Sequence, residues 1–233
     1  MAGSLRFAAL LLCVGVFAAA AEDDTWQAEF KVNSLVGDSK PAWTETTMVI
    51  EVHPSWAPLG AARFREMVDG STGYAFKGVR FFRVIQGFMA QFGLPAKSEM
   101  AAVWREKKLT DDPVRKMSAC ADGSKCSNKK GTITFATSGK DSRTTQLFIN
   151  FSDNANLDGM GFSAFGEVIS GFDSCVDKIY AEHGETPDQG QIQSNGNKYL
   201  KRAYPNLSFI SSARVLPKGE EVAEPKGDKT KEL

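Results

Sequence analysis

Two stretches of this sequence set polar groups inside apolar runs. In F-F-R-V-I-Q-G-F-M-A-Q-F-G, residues 81–93, Arg83 stands among Phe, Val and Ile, and Phe88 and Met89 follow directly on Gly87. In G-T-I-T-F-A-T-S-G-K-D-S-R-T-T-Q-L-F-I-N, residues 131–150, the two-residue period of a strand sends Leu147, Ile149 and Phe151 to one face and Gln146 with Phe148 to the other. A guanidinium beside apolar rings and amide side chains suits a groove for a neutral, partly apolar peptide. The same composition also fits an ordinary sheet core with an arginine whose stem lies along apolar surface. Other chemistries lack their signatures: G-x-G-x-x-G, Walker A, H-E-x-x-H and G-x-S-x-G patterns are missing, and the two histidines, His53 and His183, are far apart in sequence. A formal charge of zero with no long basic stretch also lacks the footprint of a nucleic-acid binder.

The elements that must position these residues are mostly strands. Runs rich in Val, Ile, Thr and Phe at 29–32, 46–52, 79–85 and 131–137 recur between Gly, Pro, Asn and Asp clusters, the pattern of a mostly β domain. Two segments break it. Residues 57–69 put Ala61, Phe64, Met67 and Val68 on one stripe ended by Gly70, and residues 170–180 do likewise, so two amphipathic helices are expected. Residues 97–128 are polar, anchored only by Val103, Trp104 and Leu109, and read as a long surface excursion. A chain of 233 residues fits one such domain.

Both ends depart from this composition. Arg6 precedes an apolar run over 7–18, then Ala19, Ala20 and Ala21, then acidic residues; this reads as a secretory signal peptide over 1–21. A membrane anchor is the alternative, but the run falls short of the ~20 apolar residues a span needs. After cleavage no membrane segment is expected. The domain then covers 26–216, and 217–233 is a charged tail with too little apolar surface to offset the entropy of ordering. The mature chain keeps Cys120, Cys126 and Cys175. The first two flank a short polar loop, and in an oxidising compartment a local disulfide between them is expected; zinc is the rival but lacks further ligands nearby. Cys175 shares a helical face with Phe172, Val176, Ile179 and Tyr180 and reads as a buried hydrophobe.

In register over most of the mature chain, the sequence resembles the cyclophilin family of peptidyl-prolyl cis-trans isomerases. The resemblance rests on F-x-R-x-I-x-G-F-M-x-Q, the G-T-I-x-x-A strand, T-Q-x-F-I, and L-D-G-M-G-F-S-A-F-G-E-V at 157–168; the run at 187–200 resembles the ending of a divergent branch. It implies a closed eight-stranded antiparallel β-barrel capped by two α-helices, with the substrate groove on its outer face. It also implies that Arg83 holds the substrate proline, that Phe88, Met89, Phe148 and Leu157 form the pocket for its ring, and that Gln91, Gln146 and the main chain at Ala136 and Thr137 bind the peptide backbone. No cofactor and no metal are implied. The partners would be proline-containing peptides and nascent proteins, met as a monomer. A binding module with the same groove and little turnover is the rival.

Phe82, Gln86 and Phe92 replace a usual histidine, proline and glycine away from the reacting bond. Asn156 stands where many members carry a tryptophan that contacts cyclosporin, so cyclosporin binding is expected to be weak or absent. Gly161 and Phe162 replace a groove histidine with one residue inserted, and Phe162 can cover the proline pocket in its place. The chain ends T-K-E-L, which resembles the K-D-E-L retrieval class in Glu232 and Leu233 but carries Lys231 in place of an acid. Retention in the endoplasmic reticulum is expected, with secretion as the alternative. Asn206 and Asn150 begin glycosylation sequons that fit this route, although Asn150 ends a core strand.

Overall fold

The computed structural model describes residues 24–33, 35, 45–113, 126–220 and 222. The signal segment 1–21, Cys120, and the T-K-E-L terminus therefore lie outside the described residues, as does most of the tail.

Among the described residues, eight strands carry the fold: β1 (Trp26–Asn33), β2 (Thr46–Val52), β3 (Arg83–Ile85), β4 (Met89–Phe92), β5 (Thr132–Phe135), β6 (Leu147–Asn150), β7 (Ala164–Ser170) and β8 (Phe209–Val215). They form one antiparallel sheet in the order β3-β4-β6-β5-β7-β2-β1-β8. The sheet curls around an aromatic core in which Phe30, Phe64, Phe81, Phe92, Phe135 and Phe165 are almost wholly buried. Its outer strands β3 and β8 share no ladder. The chain entering β3 instead spans the gap through the single bridge Arg80–Phe209, backed by Gly78 N–H to Ile210 O at 2.7 Å and Phe81 N–H to Ser208 O at 3.0 Å. The architecture is thus mostly β and barrel-like.

Helix α1 (Pro58–Asp69) forms where the apolar stripe predicts it. Pro58 occupies the first turn, where its missing N–H costs nothing, and Gly70 ends the helix in the left-handed conformation at φ +70°. Its buried face, Ala61, Phe64, Met67 and Val68, packs into the core. The second expected helix, over 170–180, does not form. That segment is a turn from Gly171, at φ +83°, followed by a 3-10 turn at Val176–Lys178. Cys175, Val176 and Ile179 are nonetheless buried as read.

Three further helices complete the described residues: α2 (Ser98–Arg105), α3 (Gln189–Asn195) and α4 (Asn197–Ala203). The first lies within the 97–128 excursion: Trp104 is buried as the expected anchor, whereas Val103 is 57% exposed and the helix itself was not expected. The other two cover a second apolar cluster of Phe82, Leu94, Ile192, Leu200 and Leu207 outside the main core.

Candidate active site

A hairpin positions the guanidinium. β3 and β4 join through a turn closed by Phe88 N–H to Ile85 O at 3.0 Å, with Gly87 at φ +71°. The register pairs Arg83 with Gln91, and Gln91 in turn with Phe148 on β6. Side chains alternate across a strand, so Val84, Ala90 and Ile149 enter the core while Arg83, Gln91 and Phe148 lie in a row on the outer face. The sequence reading of Leu147 and Ile149 inward, with Gln146 and Phe148 on the opposite face, agrees with this arrangement. Gly93 lets β4 leave the sheet beside Thr145, since a Cβ there would overlap the Thr145 carbonyl oxygen.

The outer row divides into an apolar and a polar half. Met89, Phe148 and Leu157 form a small cluster, each no more than 6% exposed, rimmed by Ile85, Phe88, Ala136 and Phe162. The Phe148 and Phe162 rings meet edge to face with centroids 5.7 Å apart. In the polar half, Arg83 Nη1 donates to Gln91 Oε1 at 3.3 Å and lies 3.9 Å from Met89 Sδ. Gln91 Nε2 donates to Gln146 Oε1 at 2.8 Å. On its other edge Arg83 meets Glu185, with Nε and Nη2 each 3.0 Å from Oε2.

Both halves open into one groove of about 540 Å³. All ten groove residues singled out from sequence line it: Arg83, Phe88, Met89, Gln91, Ala136, Thr137, Gln146, Phe148, Leu157 and Phe162. The structure adds Arg105 and Lys108 from the end of α2, Ser138, Ser142 and Thr144 from the loop before β6, and Gln189 and Gln193 from α3. Ser138, Ser142, Thr144, Gln189 and Gln193 lie within stretches singled out from the sequence, at 131–150 and 187–200, but were given no role there. The α2 pair follows a helix whose apolar anchor, Trp104, was visible in the sequence.

Two polar clusters hold the groove walls. Asn128, wholly buried, donates through Nδ2 to Asp158 Oδ1 at 2.8 Å and to Phe162 O at 2.9 Å, and accepts from Thr134 Oγ1 at 2.8 Å. This fixes the 3-10 turn Ala155–Met160, and with it Leu157. Arg143 donates to Asp112 Oδ2 at 2.8 Å and to the Thr110 carbonyl. Asp112 also accepts from Leu59 N–H at 2.7 Å and Gly60 N–H at 3.0 Å, serving the helix α1 start that has no side-chain cap of its own. Part of the 97–128 excursion therefore braces the loop that forms one groove wall.

The remaining candidates fall elsewhere. Asn150 is wholly buried, donating to Thr132 Oγ1 at 2.9 Å and accepting from Asn154 Nδ2 at 2.8 Å, so its sequon is closed in the folded domain. Asn206 is exposed. Cys126 is buried and disulfide-bonded, and Cys175 is a buried free thiol. Away from the groove, the His53 ring stacks on Trp56 at 4.1 Å and sets Nε2 3.5 Å from Glu51 and 3.6 Å from Glu167, two carboxylates that face each other across β2 and β7.

Comparison with known proteins agrees with this geometry. Residues 42–197 match the model of the family described as cyclophilin type peptidyl-prolyl cis-trans isomerase/CLD. The chain is 35% identical over 167 residues to peptidyl-prolyl cis-trans isomerase A of Dickeya dadantii, covering 70% of this chain and 75% of that protein. It is 34% identical over 152 residues to a peptidyl-prolyl cis-trans isomerase of Acinetobacter baylyi, covering 60% and 73% of the two chains. A probable peptidyl-prolyl cis-trans isomerase of Brucella abortus is 32% identical over 155 residues, covering 66% and 75%. Groove, sheet and sequence converge on one assignment: the chain belongs to the cyclophilin-type peptidyl-prolyl cis-trans isomerase family.

Proposed function

We propose that this protein accelerates X-Pro isomerisation in proteins folding within the secretory pathway, with Arg83 as the catalytic residue. The observation that carries the mechanism is the juxtaposition of the Arg83 guanidinium and a pocket made by Met89, Phe148 and Leu157. An X-Pro bond rotates over a barrier of ~18–20 kcal/mol because amide resonance is lost on the way. The apolar pocket suits the pyrrolidine ring, while Gln91 and Gln146 suit the peptide backbone beside it. In the twisted amide the nitrogen lone pair is freed and accepts a hydrogen bond from Arg83, which it does not in either planar isomer. The interaction is therefore stronger in the transition state than in either ground state. Lowering the barrier by ~7–8 kcal/mol speeds rotation about 10⁵-fold. A peptide isomerisation assay on the full chain and on Arg83→Ala tests the mechanism; wild-type turnover in a folded Arg83→Ala protein overturns it.

The secretory setting is supported by the Arg6 and 7–18 leader pattern, by the disulfide at Cys126 and by the T-K-E-L ending. A tagged protein is expected to remain in the endoplasmic reticulum, and deletion of Glu232 and Leu233 to release it to the medium. Equal secretion of the two forms would exclude retention by this terminus. Weak cyclosporin binding is supported by Asn156, which is exposed beside Leu157 and offers neither a large ring nor an indole donor. Asn156→Trp should tighten binding in a titration, and nanomolar affinity in the unaltered protein would refute the reading.

A further inference from the structure

Resting on that reading of Arg83, we infer that Glu185 is a positioning residue that sets the plane of the catalytic guanidinium before substrate arrives. An arginine presents five N–H donors in a rigid fork. Here Nε donates to Glu185 Oε2 at 3.0 Å, with Nη2 also 3.0 Å from that oxygen in the ion pair, and Nη1 donates to Gln91 Oε1 at 3.3 Å and to Met89 Sδ at 3.9 Å. Nη2 is left with a donor for the peptide. The guanidinium is thus held at both edges, from β4 on one side and from the 181–188 loop on the other.

That loop is tied to the strand that carries Arg83. Val84 N–H donates to Gly184 O at 2.9 Å, one residue from Arg83 on one side and from Glu185 on the other. Gly184 adopts φ +53° within a turn closed by its own N–H to Ala181 O at 2.9 Å and by Thr186 N–H to His183 O at 3.0 Å. The His183 ring lies between Tyr180 and Tyr204, with centroids 5.1 and 4.9 Å away, and Tyr204 donates to Thr186 O at 3.2 Å. Downstream, Asp188 caps α3 by accepting from Gln191 N–H at 2.7 Å. The carboxylate is delivered by an ordered turn.

Stability is a poor explanation for the contact. The Glu185 side chain is 64% exposed, and ion pairs so open to water add little to folding. Orientation is the stronger one, because the reacting nitrogen offers a single lone pair and a guanidinium free to turn would miss it for much of the time.

The test compares the full chain with Glu185→Ala, Glu185→Gln, Arg83→Ala and the double variant. Glu185→Ala should lower kcat about tenfold with KM changed by less than about twofold and the melting temperature unchanged, since the lost anchor acts through a charged hydrogen-bond donor. Glu185→Gln keeps an acceptor oxygen at the same reach and should restore most of the rate. In the Arg83→Ala background, removing Glu185 should change the residual rate by less than about twofold. An activity-independent arm follows the Arg83 Nε–Hε resonance by NMR, expected to be slowly exchanging in wild type and Glu185→Gln and averaged in Glu185→Ala. Unchanged or faster turnover in Glu185→Ala, or an unaltered Arg83 resonance, overturns the positioning role. If the unaltered protein does not isomerise X-Pro bonds, the proposed function falls, and the resonance alone decides whether Glu185 orients Arg83.

Discussion

The two halves of the groove are built by different means. The apolar half rests on packing: Met89 and Phe148 are placed by strand register, and Leu157 by the hydrogen bonds that tie Asp158 of its turn to buried Asn128. The polar half rests on a relay, Glu185 to Arg83 to Gln91 to Gln146, whose arginine side chain is 29% exposed. On the proposed mechanism, packing offers the proline ring nearly the same contacts in its planar and twisted states, so it would contribute to binding. On the same mechanism the relay would meet a group that exists as an acceptor only in the twisted state, and so contribute to rate.

Arg83→Ala is the change that separates the halves most sharply. It should lower kcat by about 10²–10³, the range found for losing one preorganised donor to a transition state, with KM little altered and stability intact. Steady-state kinetics beside a thermal melt check this, and a matching rise in KM would erase the division. Phe148→Ala should do the reverse. Removing a ring that is 4% exposed at the pocket floor is expected to raise KM about tenfold while kcat falls less than threefold, read in the same assay. An effect confined to kcat would show that packing also acts on the transition state.

The smallest effect strikes the core under both halves. Burial pushes the Cys175 thiol from its ordinary 9.0 up to about 12, and it raises the Tyr74 phenol in the same direction. As the pH rises the unfolded chain gives up these protons first. The stability supplied by the buried, protonated groups is whole below about pH 9 and is lost as the pH climbs toward 12. Chemical denaturation near pH 10 should therefore show the protein weaker by about 2 kcal/mol than near pH 8, with kcat and KM of the folded fraction keeping their ratio. Flat stability across that window would place Cys175 in contact with solvent.

Much of the groove was legible because its residues sit in strands, where alternation converts sequence directly into face. Gln146 and Phe148 could be assigned to the same side as soon as Leu147 and Ile149 were assigned to the core. Helix α1 was legible through Pro58, an apolar stripe and Gly70 together. Over 170–180 the same apolar spacing misled, because Cys175, Val176 and Ile179 are buried, and Phe172 partly so, by a turn and a single 3-10 turn, which bring such positions to one side without α-helix. Helices α3 and α4 were missed for the opposite reason. Each buries one apolar residue of its own, Ile192 and Leu200, and the rest of that cluster comes from Phe82, Leu94 and Leu207 elsewhere in the chain. Glu185 carried no signal at all; only the tertiary fold brings it across 102 positions to Arg83.

The bond from Val84 to Gly184 bears on how a peptide can sit beside the groove. β3 lies at the end of the sheet order, the place where an incoming extended chain would ordinarily add itself as another strand. With the Val84 amide already taken by the 181–188 turn, that mode of docking is obstructed midway along β3. A peptide in the groove must rely on side-chain contacts and short backbone stretches, which can be released one at a time. Such a surface favours brief visits by many sequences over long residence by one, as a catalyst acting on varied proline sites requires.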